Sequence, residues 1–318
     1  MTPGVKYRRR SLATRVRRFF LEPKGARVVL EFASTAVVGA RVESVRGRLE
    51  LRALFSQPLA QGAFAPALES AGFVRKEEIR DATKRVLAKI GAPPSARAAL
   101  VVPDIVARFR LFAQDEIGAE ASKRDALIAF RMQKLLPFAQ GDVRVISAWP
   151  RSATQPVLGI GCSAAVLGAY EQVGQAFGLD VGSVETSSMA LLRGLHTEGD
   201  ALLVRHDPAW LTLTLVRDGW PVAIRSFDAA VSLSPDEVRR ELQSTAVFWR
   251  DRLSGQQLAA AFVHASDAWF EAISRDVASQ FGCEPERATP PDGLSVSGVP
   301  PAVGRSAAPG LALLEAGY

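Results

Sequence analysis

The sequence predicts an α/β protein of two lobes, each opened by a meander of short strands. Three observations carry that prediction. Residues 26–56 and 201–227 each break into three β-patterned runs separated by turn residues. Helix-like and strand-like segments alternate along the remainder of the chain. The 318 residues suffice for two lobes of ordinary size, and a composition of 48% hydrophobic and 23% charged residues is that of a globular protein.

The first 27 residues stand apart. They hold nine Lys or Arg against Glu22 alone, so the body beyond them is slightly acidic although the whole chain is +6. A body without basic excess argues against nucleic acid as a partner. Within this tail, residues 11–22 (SLATRVRRFFLE) bring Leu12, Val16, Phe19 and Phe20 to one helical face, with Arg15, Arg17 and Arg18 on the other. A short basic amphipathic helix of this kind suits a partner protein or an anionic membrane surface, with Arg15, Val16, Arg18, Phe19 and Phe20 as the expected contacts. The tail has no apolar core or small-residue cleavage site, so no secretory signal is expected. No apolar run approaches the roughly 20 residues that span a bilayer. Cys162 and Cys283 are expected to be free thiols.

The elements follow in order. Strands at 26–33, 37–44 and 48–56 lead to a loop marked by Pro58, Gly62 and Pro66. Residues 76–90 carry acids early and bases late before Gly91, the charge order that complements a helix dipole. Strands at 98–102 and 105–112 flank Pro103, and a helix at 119–136 stops at Pro137-Phe138. Strands at 143–149 and 157–161, a helix at 164–177 closed by Gly178, an extended piece at 181–185 and a helix at 186–195 complete the first lobe. The second meander turns at Asp218-Gly219. Ser234-Pro235-Asp236-Glu237 is then a capping box with Pro at the first helical position, opening a helix to 253. A strand at 258–263, a helix at 269–281, a Pro/Gly/Ser-rich loop at 282–310 and a helix at 311–315 close the chain.

One motif suggests a dinucleotide site. Gly159-x-Gly161-x-x-Ala164 follows a strand and opens a helix, with Glu185 at the end of the next extended segment. On that reading the chain is a dinucleotide-dependent enzyme, although no further βαβ units complete a doubly wound sheet. His196, His206 and His264 are solitary and lack ligand spacing, so no metal site is expected. Neither a Gly-x-Ser-x-Gly nor a P-loop occurs. The aromatics Phe248-Trp249 and Trp269-Phe270 are expected in the core.

Taken together, the order of elements over residues 26–316 resembles the PilM family of cytoplasmic actin-like proteins of type IV pilus assembly. VLGIGCSAAVLGAYEQVGQAFGLDVGSVETSSMALLRGL and the helix ending FRMQKLLPF carry the resemblance most specifically. The cytoplasmic parts of type II secretion platform proteins and the division protein FtsA have a similar pattern. The resemblance implies an actin-like (ribonuclease H-like) two-lobed fold. A basic amphipathic tail would occupy 1–25, a first lobe 26–195 with an inserted subdomain at about 75–150, and a second lobe 196–318. It implies a cytoplasmic scaffold, peripheral at the inner membrane, that docks the cytoplasmic tail of a PilN-like bitopic membrane protein beside the insert. A motor ATPase ring would be coupled through that partner.

The resemblance also locates three nucleotide motifs, and this chain departs from each. Where the family's first phosphate turn carries an acid and a glycine, Glu31 and Ala33 stand, and Val37-Val38 occupy the place of a following Lys. The second turn, Asp-x-Gly in the family, reads Arg205-His206-Asp207 before Pro208, whose ring removes an N–H donor. The adenosine-side Gly-Gly pair is His264-Ala265, and each added Cβ narrows the room for a ligand. The expectation is a pseudo-ATPase, not an enzyme, with no cofactor and no catalytic residue. The alternative is an ATP- and Mg-binding protein that polymerises, with Arg205 pairing to a phosphate.

Overall fold

The strand β1 (Val28–Ala33) is buried along its whole length and sits at the centre of the first lobe. In this computed structural model the described residues are 27–45, 48–118, 121–139, 141–195, 197–228, 233–288 and 295–296. The tail, with the contacts expected at Arg15, Val16, Arg18, Phe19 and Phe20, lies outside them, as do the helix expected at 311–315 and most of the loop at 282–310.

β1 pairs antiparallel with β2 (Ala36–Val45), which pairs with β3 (Arg48–Pro58). On its other side β1 lies parallel to β4 (Arg97–Val102), and β4 to β8 (Asp180–Thr186). β14 (Ser295–Val296) completes the sheet by pairing with β3. The second lobe repeats this plan. β9 (Asp200–Asp207) pairs antiparallel with β10 (Trp210–Arg217), which pairs with β11 (Trp220–Asp228). β12 (Ala260–His264) lies parallel to β9, and β13 (Glu286–Arg287) to β12. In both lobes, therefore, the first strand of a meander becomes the central strand of a mixed sheet, with its turn pointing to the same end.

Helix α1 (Lys76–Ile90) packs on β2 and β3 through Ile79, Val86 and Ile90. Gly39 on β2 is required there, because a Cβ would run into Val86 Cγ1. Gly91 ends the helix in the left-handed conformation, φ 61°. Below the β1 turn, Phe32, Phe64, Phe73 and Tyr170 form one aromatic cluster, and the buried Tyr170 hydroxyl donates to the Ala71 carbonyl at 2.8 Å.

A third sheet, in the order β5 (Ala107–Phe112), β7 (Val157–Ser163), β6 (Val143–Ala148), is fully antiparallel and carries α2 (Gln114–Ile117) and α3 (Ala121–Gln133). This is the inserted subdomain. Its extent, 107–163, corrects the range of about 75–150. α1 and β4 bury their apolar faces in the first-lobe core, whereas β7, beyond the expected end, is the insert's central strand. The strand expected at 105–112 is likewise shortened, because Asp104–Val106 forms one 3-10 turn. The fully buried Asp104 accepts bonds from the Ser188 N–H and from the Ser187 and Ser188 hydroxyls, tying that turn to α5 (Ser187–Gly194).

Between the insert's β7 and the first lobe's β8 runs α4 (Ala164–Ala176). In the second lobe α6 (Pro235–Leu253) begins at the expected capping box. The Glu237 N–H donates to Ser234 Oγ at 3.3 Å, and the Ser234 N–H donates to the Glu237 carboxylate at 2.8 Å. α6 buries Val238, Leu242, Ala246 and Trp249 against the sheet, and α7 (Asp267–Phe281) buries Ile273, Val277 and Phe281. Phe248, expected in the core, instead points outward and is 40% exposed, since the helical period that buries Trp249 turns its neighbour away. Among the described residues no helix is long and apolar enough to cross a membrane.

Candidate functional site

The repeated topology brings two tight turns face to face. Ser34-Thr35 joins β1 to β2, where Ala33 pairs with Ala36; Pro208-Ala209 joins β9 to β10, where Asp207 pairs with Trp210. The Ser34 N–H donates to Asp207 Oδ2 at 3.2 Å, and Asp207 Oδ1 accepts the Ala209 N–H at 3.0 Å. One carboxylate from the second lobe thus satisfies backbone donors of both turns.

Two residues deeper on each strand stand Glu31 and Arg205. Their side chains are 2% and 4% exposed, and a guanidinium nitrogen lies 3.5 Å from Glu31 Oε1. Arg205 also donates to the His206 carbonyl at 2.8 Å. An ion pair this deep is costly to desolvate, and removing one member leaves the other charge without compensation. The positions of the two lobes related by the repeat therefore carry opposite charges, paired across the lobe boundary.

Above them is a cleft of about 410 Å³, lined by Ala33, Arg205, Asp207, His264, Ala265 and Trp269 among others. The His206 ring lies against the Trp269 indole, centroids 4.2 Å apart. Burial, together with the nearby Arg205 charge, pushes the His206 imidazole down to about 4, so it is neutral near pH 7. Burial pushes the Asp207 carboxyl up, while Arg205 and the N–H groups of Ser34 and Ala209 pull it back. His264 ends β12, buried, in register beside Arg205.

Five of the six positions expected from the sequence, Ala33, Arg205, Asp207, His264 and Ala265, line this one cleft, and Glu31 lies beneath it. The residues not foreseen are Ser34, whose contribution is a backbone N–H, and the His206–Trp269 pair. A side-chain motif cannot reveal the first. Trp269 reaches His206 only because α7 begins beside the end of β9.

The dinucleotide reading is overturned. Gly159 and Gly161 lie inside β7, in an antiparallel sheet, and not at a strand-to-helix turn. Cβ atoms there would come within 2.9 Å of Phe112 and 2.8 Å of Leu136, with Met132 next in both cases. These glycines let the insert's helical side pack closely on its own sheet. Ser163 caps the following helix α4 through the Val166 N–H.

The two turns leave few backbone donors for a phosphate group. The Ser34 N–H is already engaged by Asp207, and Pro208 has no N–H to offer. Arg205, the cation nearest the turns, is committed to Glu31. Among the described residues no group of three His, Cys, Asp or Glu is placed to hold a metal.

No protein-family model matches the chain, and no curated protein sequence does. Solved structures match along most of its length. A chain of a PilM–PilN type IV pilus biogenesis complex is 14% identical, with a TM-score of 0.75 over 93% of this chain and 100% of that one. The cytoplasmic domain of EpsL, an inner-membrane component of the Vibrio cholerae type II secretion system, is 11% identical, with a TM-score of 0.51 over 91% and 93%. A Bacteroides thetaiotaomicron protein of actin-like ATPase fold and unknown function is 7% identical, with a TM-score of 0.51 over 87% and 93%. The two lobes of the same strand order, the insert and these likenesses establish that the chain has the actin-like fold.

Proposed function

We propose that this protein is a scaffold of a type IV pilus or related secretion platform, acting at the cytoplasmic face of the inner membrane without hydrolysing ATP. The observation that carries the reading is the likeness to a PilM–PilN complex chain over 93% of the sequence. The pairing of Ser34 with Asp207 and of Glu31 with Arg205 supports the pseudo-ATPase part, because protein groups engage each other where a nucleotide would bind.

The partner in this reading is the cytoplasmic tail of a PilN-like membrane protein. Its proposed seat is a groove of about 100 Å³ between the insert and the first lobe, walled by Val106, Ile160, Cys162, Val166 and Val184. Arg144 and Glu185 at its rim supply one charge of each sign. An apolar groove of this size takes an apolar side chain of a peptide laid along it. The basic residues of 1–25 supply attraction to an anionic membrane surface, and a motor ATPase ring is coupled through the complex.

Calorimetric titration tests both halves. Tail peptides of bitopic membrane proteins encoded beside this chain are expected to include one that binds with a Kd of about 1–10 μM. Mg·ATP at about 1 mM is expected to give no binding heat. Tight magnesium-dependent ATP binding would overturn the pseudo-ATPase reading, and failure of every tail peptide would overturn the docking reading.

A further inference from the structure

The insert's three-stranded sheet is covered unevenly by its helices. Ile128 and Met132 of α3, both fully buried, seat over Gly159 and Gly161 of the central strand β7. On the β5 side the layer is completed by Phe112 and by Ile117 of α2, which join Ile128 and Met132 in one apolar cluster. The β6 side is not completed in this way. The elements packed on β6 are α3 and β7, and those packed on α3 are α2, β6 and β7. Val145 and, by strand alternation, Val143 face α3, yet both are only half-buried.

α3 and β6 thus form two walls of an open groove of about 570 Å³. Its helical wall is made of two stripes, Ala126–Phe130–Lys134 and Ala129–Gln133, at a spacing of four residues. Phe130 is 56% exposed, and the Lys134 ammonium lies 4.3 Å from the centre of its ring. No acidic residue lines the groove, and the two cations that do, Lys134 and Arg144, form no ion pair among the described residues. The groove proposed for the tail peptide lies against the opposite face of this sheet, at Ile146 and Ile160, and Arg144 borders both.

The shape selects a helix. Packed helices lie about 10 Å apart and strands about 4.8 Å apart, so a second helix beside α3 would run just outside β6 and cover Phe130, Val143 and Val145. The small side chains of Ala126 and Ala129 leave room for it. A flat bilayer would leave the groove unfilled, and the basic segment 11–22 of the chain itself would meet like charge at Lys134 and Arg144.

We propose that the groove between α3 and β6 is a docking site for an amphipathic helix of a partner protein, with acidic residues flanking its apolar face. Burial of that face supplies affinity, and the two uncompensated cations select the acidic flank.

The test uses the full chain and two fluorescein-labelled helical peptides of about 18 residues, which share one leucine face and carry either Glu or Lys along its flanks. The Glu peptide is expected to bind, to weaken with added salt, and to slow amide hydrogen exchange within α3 and β6. Phe130→Gln, at an exposed position and with helix propensity kept, is expected to weaken it about tenfold while leaving the melting temperature unchanged. Lys134→Glu is expected to weaken it about fivefold, the scale of an exposed ion pair, and to strengthen binding of the Lys peptide. The proposal is overturned if the Glu peptide does not bind, if the Lys peptide binds the wild type equally well, or if exchange protection falls elsewhere. Binding to phosphatidylglycerol vesicles that Phe130→Gln abolishes would overturn it by assigning the face to lipid. Concentration-dependent dimerisation abolished by the same variant would overturn it by assigning the face to a second copy of the chain.

Discussion

The backbone N–H of Ser34 donates to the carboxylate of Asp207 at 3.2 Å, joining turns that lie 173 residues apart in the chain. The contact closes the bottom of the inter-lobe cleft with a hydrogen bond to a buried carboxyl group. Because Asp207 also accepts the Ala209 N–H, one side chain both shapes its own turn and fixes the opposite lobe. The relationship is a link between lobes that requires no ligand.

Asp207→Ala leaves two backbone donors without their acceptor. Stability measured by urea unfolding is expected to fall by about 2 kcal/mol. An unchanged unfolding midpoint would show that the contact contributes nothing to holding the lobes.

The Glu31–Arg205 pair separates two effects. Glu31→Gln strands a buried guanidinium and is expected to cost about 3–5 kcal/mol, whereas Glu31→Leu combined with Arg205→Met is expected to restore most of that loss. A double variant as unstable as the single one would mean that Arg205 has a further essential partner.

His206 makes stability depend on pH. Its imidazole titrates at about 4 in the fold against 6.5 when unperturbed, so between these values the unfolded chain binds the extra proton. The stability it contributes is complete above 6.5 and is lost as pH falls toward about 4, by about 3 kcal/mol in total. Asp207 works in the opposite sense. Held above 3.8 in the fold, it contributes stability at low pH that is lost as pH rises through its folded value. The difference between wild type and His206→Leu isolates the histidine, and unfolding followed from pH 4 to 7 is expected to show a shallower acid loss in the variant. Parallel curves would refute the assignment.

Gly161→Val places a branched side chain where even a Cβ comes 2.8 Å from Leu136 Cδ1. The expected cost is about 1–3 kcal/mol. Hydrogen exchange should accelerate in the insert (107–163) and remain unchanged in the second lobe. Loss of protection across the whole chain would show that the insert does not open separately.

Much of the architecture was legible because it rests on local chemistry. The Ser234 capping box, the Gly91 stop and the Asp218-Gly219 turn are each specified by a few adjacent residues, and each is present. The insert's boundary was misplaced for a corresponding reason. Nothing local in residues 76–90 says which sheet that amphipathic face will cover, and Gly39, the residue that admits Val86, lies in a different strand. Gly159-x-Gly161 misled because a glycine spacing is the same whether the residues release a turn or make room for a helix. Only the antiparallel pairing with Ala107–Phe112 distinguishes the two.

By itself the sequence determined the two meanders, the helices between them, the separation of a basic tail from a slightly acidic body, and the positions Glu31, Ala33, Arg205, Asp207, His264 and Ala265 as those to compare. The tertiary structure alone decided that those positions meet. Glu31 and Arg205 form an ion pair, and Asp207 bonds Ser34, only because each lobe lifts its first strand into the centre of a sheet and points its turn at the other. Strand patterns and caps act over a few residues, whereas an ion pair between positions 31 and 205 depends on the packing of two lobes that no local spacing encodes.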